Sequence, residues 1–220
     1  VTALISPHLG QRVLRSGPPP GQAQAAMILL HGRGAPAEDI LGLGRELGRR
    51  ELALVAPQAA GYTWYPYSFL APTEQNEPGL SSALALIGHL VGSLEEEGIP
   101  AERILLLGFS QGACLASEFA ARNPKRYGGV VALSGGLIGP PDTPREYSGS
   151  IAGSFAGTPA FFGCSDRDPH IPLARVEESA QIFERMGAEV TKKIYPGMGH
   201  TVVEDELEHV RRIVDGLPRA

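Results

Sequence analysis

The sequence predicts an α/β fold, a mainly parallel β-sheet with helices on both faces. Two observations carry this. Short, wholly apolar runs of strand length recur, as in AAMILL at 25–30 and LALVA at 52–56, the pattern of strands buried on both sides. Between the runs lie longer segments whose apolar residues repeat at helical spacing, so strands and helices alternate. In such sheets reactive groups gather beyond the carboxyl ends of the strands.

Each element follows in order. Gln11 to Arg15 reads as an antiparallel edge strand ahead of Gly17-Pro18-Pro19-Pro20. Ala25 to Leu30 is a central strand ending at His31-Gly32. Pro36-Ala37-Glu38-Asp39 opens a helix, because proline is tolerated in a first turn and acids suit the positive end of the helix dipole. Leu52 to Ala56 is the next strand, closed by Pro57. Leu80, Ala83, Leu84, Ile87, Leu90, Val91 and Leu94 recur at helical spacing until Gly98-Ile99-Pro100 stops them. Arg103 to Leu107 is a buried strand and Ala113 to Ala121 the helix after it. Val130 to Leu133 is a strand, and the polar, Gly-rich span from Asp142 to Thr158 a loop. Ala160 to Gly163, Leu173 to Met186 and Val190 to Tyr195 read as strand, helix and strand. A last helix buries Val203, Leu207, Val210, Val214 and Leu217. No repeat or linker divides the chain, and a single domain over residues 1–220 is expected.

Composition narrows the partners. The chain is 43% hydrophobic and 20% charged, ordinary for a protein with a real core. Net charge is −5, with no basic cluster, so nucleic acid is not expected. No apolar stretch reaches bilayer length, and the N-terminus lacks a basic segment followed by an apolar run, so a cytoplasmic protein with no membrane partner is expected. Cys114 and Cys164 make neither a metal-ligand spacing nor a disulfide framework and read as small buried hydrophobes. No metal or organic cofactor is expected, and a homodimer stays open.

The chemistry centres on Gly108-Phe109-Ser110-Gln111-Gly112, at a strand-to-helix junction. A G-x-S-x-G turn there is so tight that glycine stands on both sides of the serine, two positions away, and the serine hydroxyl is lifted above the sheet edge. Such a hydroxyl needs a base within hydrogen-bond reach, itself oriented by a third group. His200, in Gly197-Met198-Gly199-His200, follows the strand ending at Tyr195. An acid follows the strand ending at Gly163, in Ser165-Asp166-Arg167-Asp168-Pro169-His170. It is open between Asp166 and Asp168; Asp168 is preferred because Pro169 fixes its loop, and Asp166 suits a turn. His170 belongs to a neighbouring turn, and His8, His89 and His209 read as structural or solvated.

An oxyanion hole needs two backbone donors. The amide of Gln111 supplies one, and His31-Gly32-Arg33-Gly34 places the amide of Arg33 as the other. The Arg33 side chain reads equally as solvated or as favouring polar or acidic substrates. Trp64, Tyr65, Tyr67, Phe69 and Leu70 follow the strand ending at Ala56 and are expected to form an apolar pocket wall. No long insertion supplies a lid, so the site is expected to be open and shallow, suited to short acyl chains.

Together HGRG, GFSQG, GCSDRDPHIP and GMGH resemble the phospholipase/carboxylesterase family of α/β-hydrolases, the small group without a large cap domain that includes acyl-protein thioesterase-like enzymes. The resemblance runs from about Ala25 to the end of the chain. It implies the α/β-hydrolase fold, Ser110 as nucleophile, Asp168 as acid, His200 as base, and hydrolysis of carboxylic esters or thioesters without a cofactor. Members nearest the eukaryotic thioesterases tend to carry H-G-L-G-D, whereas this chain has Arg33 and Ala35. The stretch Gly61 to Tyr67 looks more like the bacterial carboxylesterases of the group. A serine esterase for small, short-acyl or aryl esters is therefore expected. The alternatives are a thioesterase or lysophospholipase for long acyl chains and a catalytically silent binding protein. A dienelactone-type hydrolase carries cysteine where Ser110 stands.

Overall fold

The computed structural model describes residues 6–141 and 154–218. Residues 142–153 of the loop expected after Asp142 lie outside the described residues. The elements are β1 (Val13–Ser16), β2 (Ala25–Leu30), α1 (Ala37–Glu46), β3 (Leu52–Pro57), α2 (Gly79–Glu96) and β4 (Ile104–Phe109). They continue with α3 (Gln111–Arg122), β5 (Gly129–Leu133), β6 (Pro159–Ser165), α4 (Leu173–Arg185), β7 (Glu189–Tyr195) and α5 (Glu204–Asp215). The strands form a seven-stranded sheet in the order β1-β3-β2-β4-β5-β6-β7. Only β1 is antiparallel, pairing Val13 with Pro57 through Ser16 with Leu54 on β3, while every other pair is parallel.

The continuous apolar runs have a direct cause. Successive strand side chains point to opposite faces, and here both faces are covered. Ala26, Ile28 and Leu30 of β2 join the core beneath α2, α3 and α4, while Ala25, Met27 and Leu29 join the core beneath α1 and α5. On β4 the same division separates Ile104 and Leu106 from Leu105 and Leu107. A polar residue at any of these positions would be buried without a partner, which is why none occurs.

Cys114 and Cys164 are free and buried, and burial pushes both thiols up to about 12. Among the described residues no helix is long and apolar enough to cross a membrane.

The topology also positions the site. From β2 the chain turns to β3 on one side, then returns to β4 on the other. A crevice opens beyond the carboxyl ends of β2 and β4, where the strand order reverses. His31-Gly32-Arg33 follows β2, and Ser110 follows β4.

Candidate active site

The elbow is built by exclusion. Helix α3 starts at Gln111, immediately after Ser110, two residues earlier than its apolar pattern suggests. A Cβ on Gly108 would lie 2.2 Å from the Gly112 carbonyl carbon, and one on Gly112 would lie 2.1 Å from the Leu30 oxygen. Both glycines are therefore required by close approach rather than by flexibility. Ser110 itself has φ 55 and ψ −118, a sparsely populated conformation that costs ~1–3 kcal/mol. Its amide donates to the Leu133 carbonyl at 2.9 Å and its carbonyl accepts from the Cys114 amide at 3.0 Å, which hold the turn.

Side chains from three loops meet at this hydroxyl. The Ser110 Oγ lies 2.8 Å from His200 Nε2, and His200 Nδ1 lies 2.7 Å from Asp168 Oδ2. With a carboxylate beside it, Nδ1 carries the proton and donates, leaving Nε2 to accept from the serine hydroxyl. Asp168 Oδ1 accepts the amides of His170 at 2.8 Å and Ile171 at 3.0 Å. Burial pushes the Asp168 carboxyl up, but the bonds from His200 and these two amides outweigh it and hold the group below the usual carboxylate range. Asp166 points elsewhere. Its Oδ1 accepts the Gly197 amide at 2.7 Å, tying the loop after β6 to the loop that carries His200. Asp168, not Asp166, is the carboxylate that reaches His200.

The remaining histidines separate by environment. His8 is buried, its Nδ1 accepting from Ala60 at 3.1 Å and its Nε2 donating to the Trp64 carbonyl at 2.8 Å. His209 stacks on Phe161, with ring centroids 4.8 Å apart, and His89 is exposed. His170 lies closer to the site than its sequence context suggests. Its ring packs edge-on against His200 at 4.8 Å and lines the same cavity.

The loop after β2 is set by a buried histidine that the motif alone does not explain. His31 Nε2 accepts the Ala59 amide at 3.1 Å, so Nδ1 carries the proton and donates to the Gly32 carbonyl at 2.8 Å. Burial pushes His31 below the usual imidazole value, keeping the ring neutral for both bonds. Anchoring the Gly32 oxygen turns the Arg33 N–H of that same peptide plane to the opposite side. Among the described residues neither the Arg33 amide nor the Gln111 amide has an intramolecular hydrogen-bond partner.

The aromatic loop differs from expectation in two of its five residues. A cavity of about 570 Å³ opens at Ser110 and is lined by Tyr65, Tyr67 and Phe69, together with Arg33, Phe109, Cys114, His170 and Ile171. Trp64 and Leu70 are not part of that wall. Trp64 is fully buried beneath the loop after β2, its indole N–H donating to the His31 carbonyl at 2.9 Å, because a buried indole needs an acceptor. Leu70 is partly buried and packs against the core beneath α2, α3 and α4.

The wall is held by polar side chains whose roles have no sequence signal. Gln111 Oε1 accepts the Trp64 amide at 2.9 Å, and its Nε2 donates to the Tyr65 carbonyl at 2.8 Å. Buried Asn76 accepts the Tyr67 amide and donates to the Ser68 carbonyl, each at 2.9 Å. The Arg33 guanidinium donates to the carbonyls of Pro66 at 2.8 Å and Tyr67 at 2.6 Å. Arg33 is exposed, and through these bonds it also clamps the wall to the loop after β2.

The chain as a whole is similar to known proteins. The family model described as phospholipase/carboxylesterase matches residues 17–216. A solved phospholipase/carboxylesterase from Dyadobacter fermentans is 45% identical, with TM-score 0.86 over 93% of this chain and 96% of that one. Zea mays acyl-protein thioesterase 2, 22% identical with TM-score 0.72 over 93% and 98% of the two chains, shares the fold. Acyl-protein thioesterase 1 of Saccharomyces cerevisiae is 33% identical over 139 residues, 62% of this chain, and the chain spans 59% of that relative's length. The fold is that of the α/β-hydrolases, and the chain belongs to the phospholipase/carboxylesterase family of hydrolases.

Proposed function

We propose that the protein is a serine carboxylesterase hydrolysing small, short-acyl or aryl esters through an acyl-enzyme. The observation that carries this is the unbroken chain from Ser110 Oγ to His200 at 2.8 Å and from His200 to Asp168 at 2.7 Å. His200, oriented by Asp168, takes the proton of Ser110 as the hydroxyl attacks the ester carbonyl. The tetrahedral oxyanion rests on the amides of Arg33 and Gln111, whose unpartnered N–H groups suit that charge. His200 then passes its proton to the departing alcohol oxygen, leaving Ser110 acylated. Water, deprotonated by His200, releases the acid and restores the serine.

The short-acyl preference rests on the wall. Gln111, Arg33 and Asn76 fasten the 63–68 segment through its backbone, so the cavity is bounded by a fixed surface. Activity on 4-nitrophenyl esters of increasing acyl length is expected to peak among the short members. A maximum at long acyl groups would instead favour the thioesterase reading, which the likeness to the yeast relative supports. Ser110→Ala is expected to reduce turnover to background with the fold intact. Near-normal hydrolysis by that variant, or a folded wild-type protein that resists a fluorophosphonate probe, would overturn the assignment.

A further inference from the structure

Arg33 is the one formally charged side chain among the described residues that line the cavity at Ser110. That lining also includes His170 and His200 and no aspartate or glutamate, although the whole chain carries net charge −5. Arg33 keeps its charge. Its two side-chain partners are backbone carbonyls, and no carboxylate among the described residues lies within ion-pair distance of it. Those two bonds leave other N–H donors of the five on a guanidinium available. His170 is exposed, and its ring nitrogens have no hydrogen-bond partner among the described residues. An imidazole presents an N–H whether neutral or protonated.

The two groups flank the nucleophile. In the strand order β2-β4-β5-β6, Arg33 follows β2, Ser110 follows β4 and His170 follows β6. An ester lying across Ser110 therefore meets Arg33 towards one end and His170 towards the other. The alcohol oxygen must lie at His200 Nε2 to receive its proton, and the His170 ring stands 4.8 Å from that imidazole. His170 thus borders the departing alcohol, and Arg33 the acyl part.

We infer that the ester this site takes carries a carboxylate, read by Arg33 when it sits on the acyl part and by His170 when it sits on the alcohol part. The inference rests on the esterase reading above and narrows it to anionic esters. Having no carboxylate in the wall is what makes it selective: a neutral ester offers these donors no charge, whereas a carboxylate accepts charge-assisted bonds.

The test measures kcat/KM on two matched pairs. 4-Nitrophenyl hydrogen glutarate against 4-nitrophenyl valerate places the charge on the acyl side. 4-Acetoxybenzoate against its methyl ester places it on the alcohol side. Each ratio is divided by that of uncatalysed hydroxide hydrolysis. At least one pair is expected to favour the anion about tenfold, with the preference falling as salt rises. Arg33→Gln, which removes the charge, is expected to remove the acyl-side preference. His170→Phe, which keeps a ring beside His200 but has no N–H donor, is expected to remove the alcohol-side preference, and as an exposed position it remains informative if Arg33→Gln does not fold. Turnover of neutral esters with no anionic preference in either pair, or a preference unmoved by salt, overturns this inference and leaves the esterase intact. No turnover of any ester, with Ser110 unlabelled by fluorophosphonate, overturns the esterase reading itself.

Discussion

Gln111→Ala separates the two roles that position 111 performs. The backbone amide, which faces the oxyanion position, survives the substitution. The side chain, which ties down the Trp64-Tyr65 backbone, does not. Removing it orphans the Trp64 amide, bonded at 2.9 Å, and leaves the Tyr65 carbonyl, bonded at 2.8 Å, with only the Thr63 hydroxyl at 3.3 Å, in a place where Trp64 and Tyr65 are almost fully buried. A buried group left without a partner costs ~1–3 kcal/mol, so a loss of about 2 kcal/mol is expected before the cavity left behind is considered. For a chain of this size each kcal/mol lowers the melting temperature by about 2–4 °C, giving a fall of about 4–8 °C. The assay is reversible urea unfolding alongside titration of Ser110 with a fluorophosphonate. Stability is expected to drop while labelling persists and KM rises, because the wall at Tyr65 and Tyr67 loosens but the elbow remains. Gln111→Glu is the control: it keeps an acceptor for Trp64 but sets a carboxylate oxygen against the Tyr65 carbonyl, so it is also expected to destabilise. A change below about 0.5 kcal/mol in Gln111→Ala, within the usual range for a surface substitution, would show that the side chain does not hold the wall.

Asp168→Asn is expected to lower kcat by about 10³–10⁴ with the fold retained. The amides of His170 and Ile171 require the oxygen of the new amide, so its NH₂ faces His200 Nδ1 and forces the proton onto Nε2, the wrong tautomer for accepting from Ser110. A fall of less than tenfold would contradict that geometry. Glu206 offers a pH test. Burial first, and Asp205 beside it, outweigh its bond from the Val203 amide and raise the carboxyl from 4.5 to about 7. An acid with a raised folded value binds more protons folded than unfolded, so the native state loses stability as pH climbs from about 4.5 to about 7 and is flat beyond. Glu206→Gln cannot ionise and is expected to lack this fall. Its urea midpoint relative to wild type should therefore rise between pH 5 and pH 8, and a constant difference would refute the shift.

Much of this protein is written locally. AAMILL, LALVA and the segment from Ile104 to Leu107 can only be buried strands, because no face of them is polar, and the amphipathic segments between can only cover them. Gly108 and Gly112 mark the elbow because any larger side chain would strike backbone, a constraint local enough to survive as a five-residue pattern. His200 could be placed at a strand end for the same reason, since its loop follows a readable strand. Asp168 was legible only as one of two candidates two residues apart. Choosing between them needs the direction of a loop in three dimensions, where Asp168 turns to His200 and Asp166 to the Gly197 amide.

The aromatic loop shows where local reading stops. Trp64 and Tyr67 look alike in sequence, yet one is buried under the His31 carbonyl and the other stands 58% exposed at the cavity. That outcome is set by partners 33 to 47 residues away in the chain, through His31, Arg33 and Gln111. The sequence by itself determined the alternation of strands and helices and the serine elbow, because hydrophobic periodicity and glycine sterics act over a few residues. The tertiary structure alone decided which carboxylate reaches His200 and which aromatic rings and N–H donors line the cavity, because hydrogen bonds between distant loops set their directions.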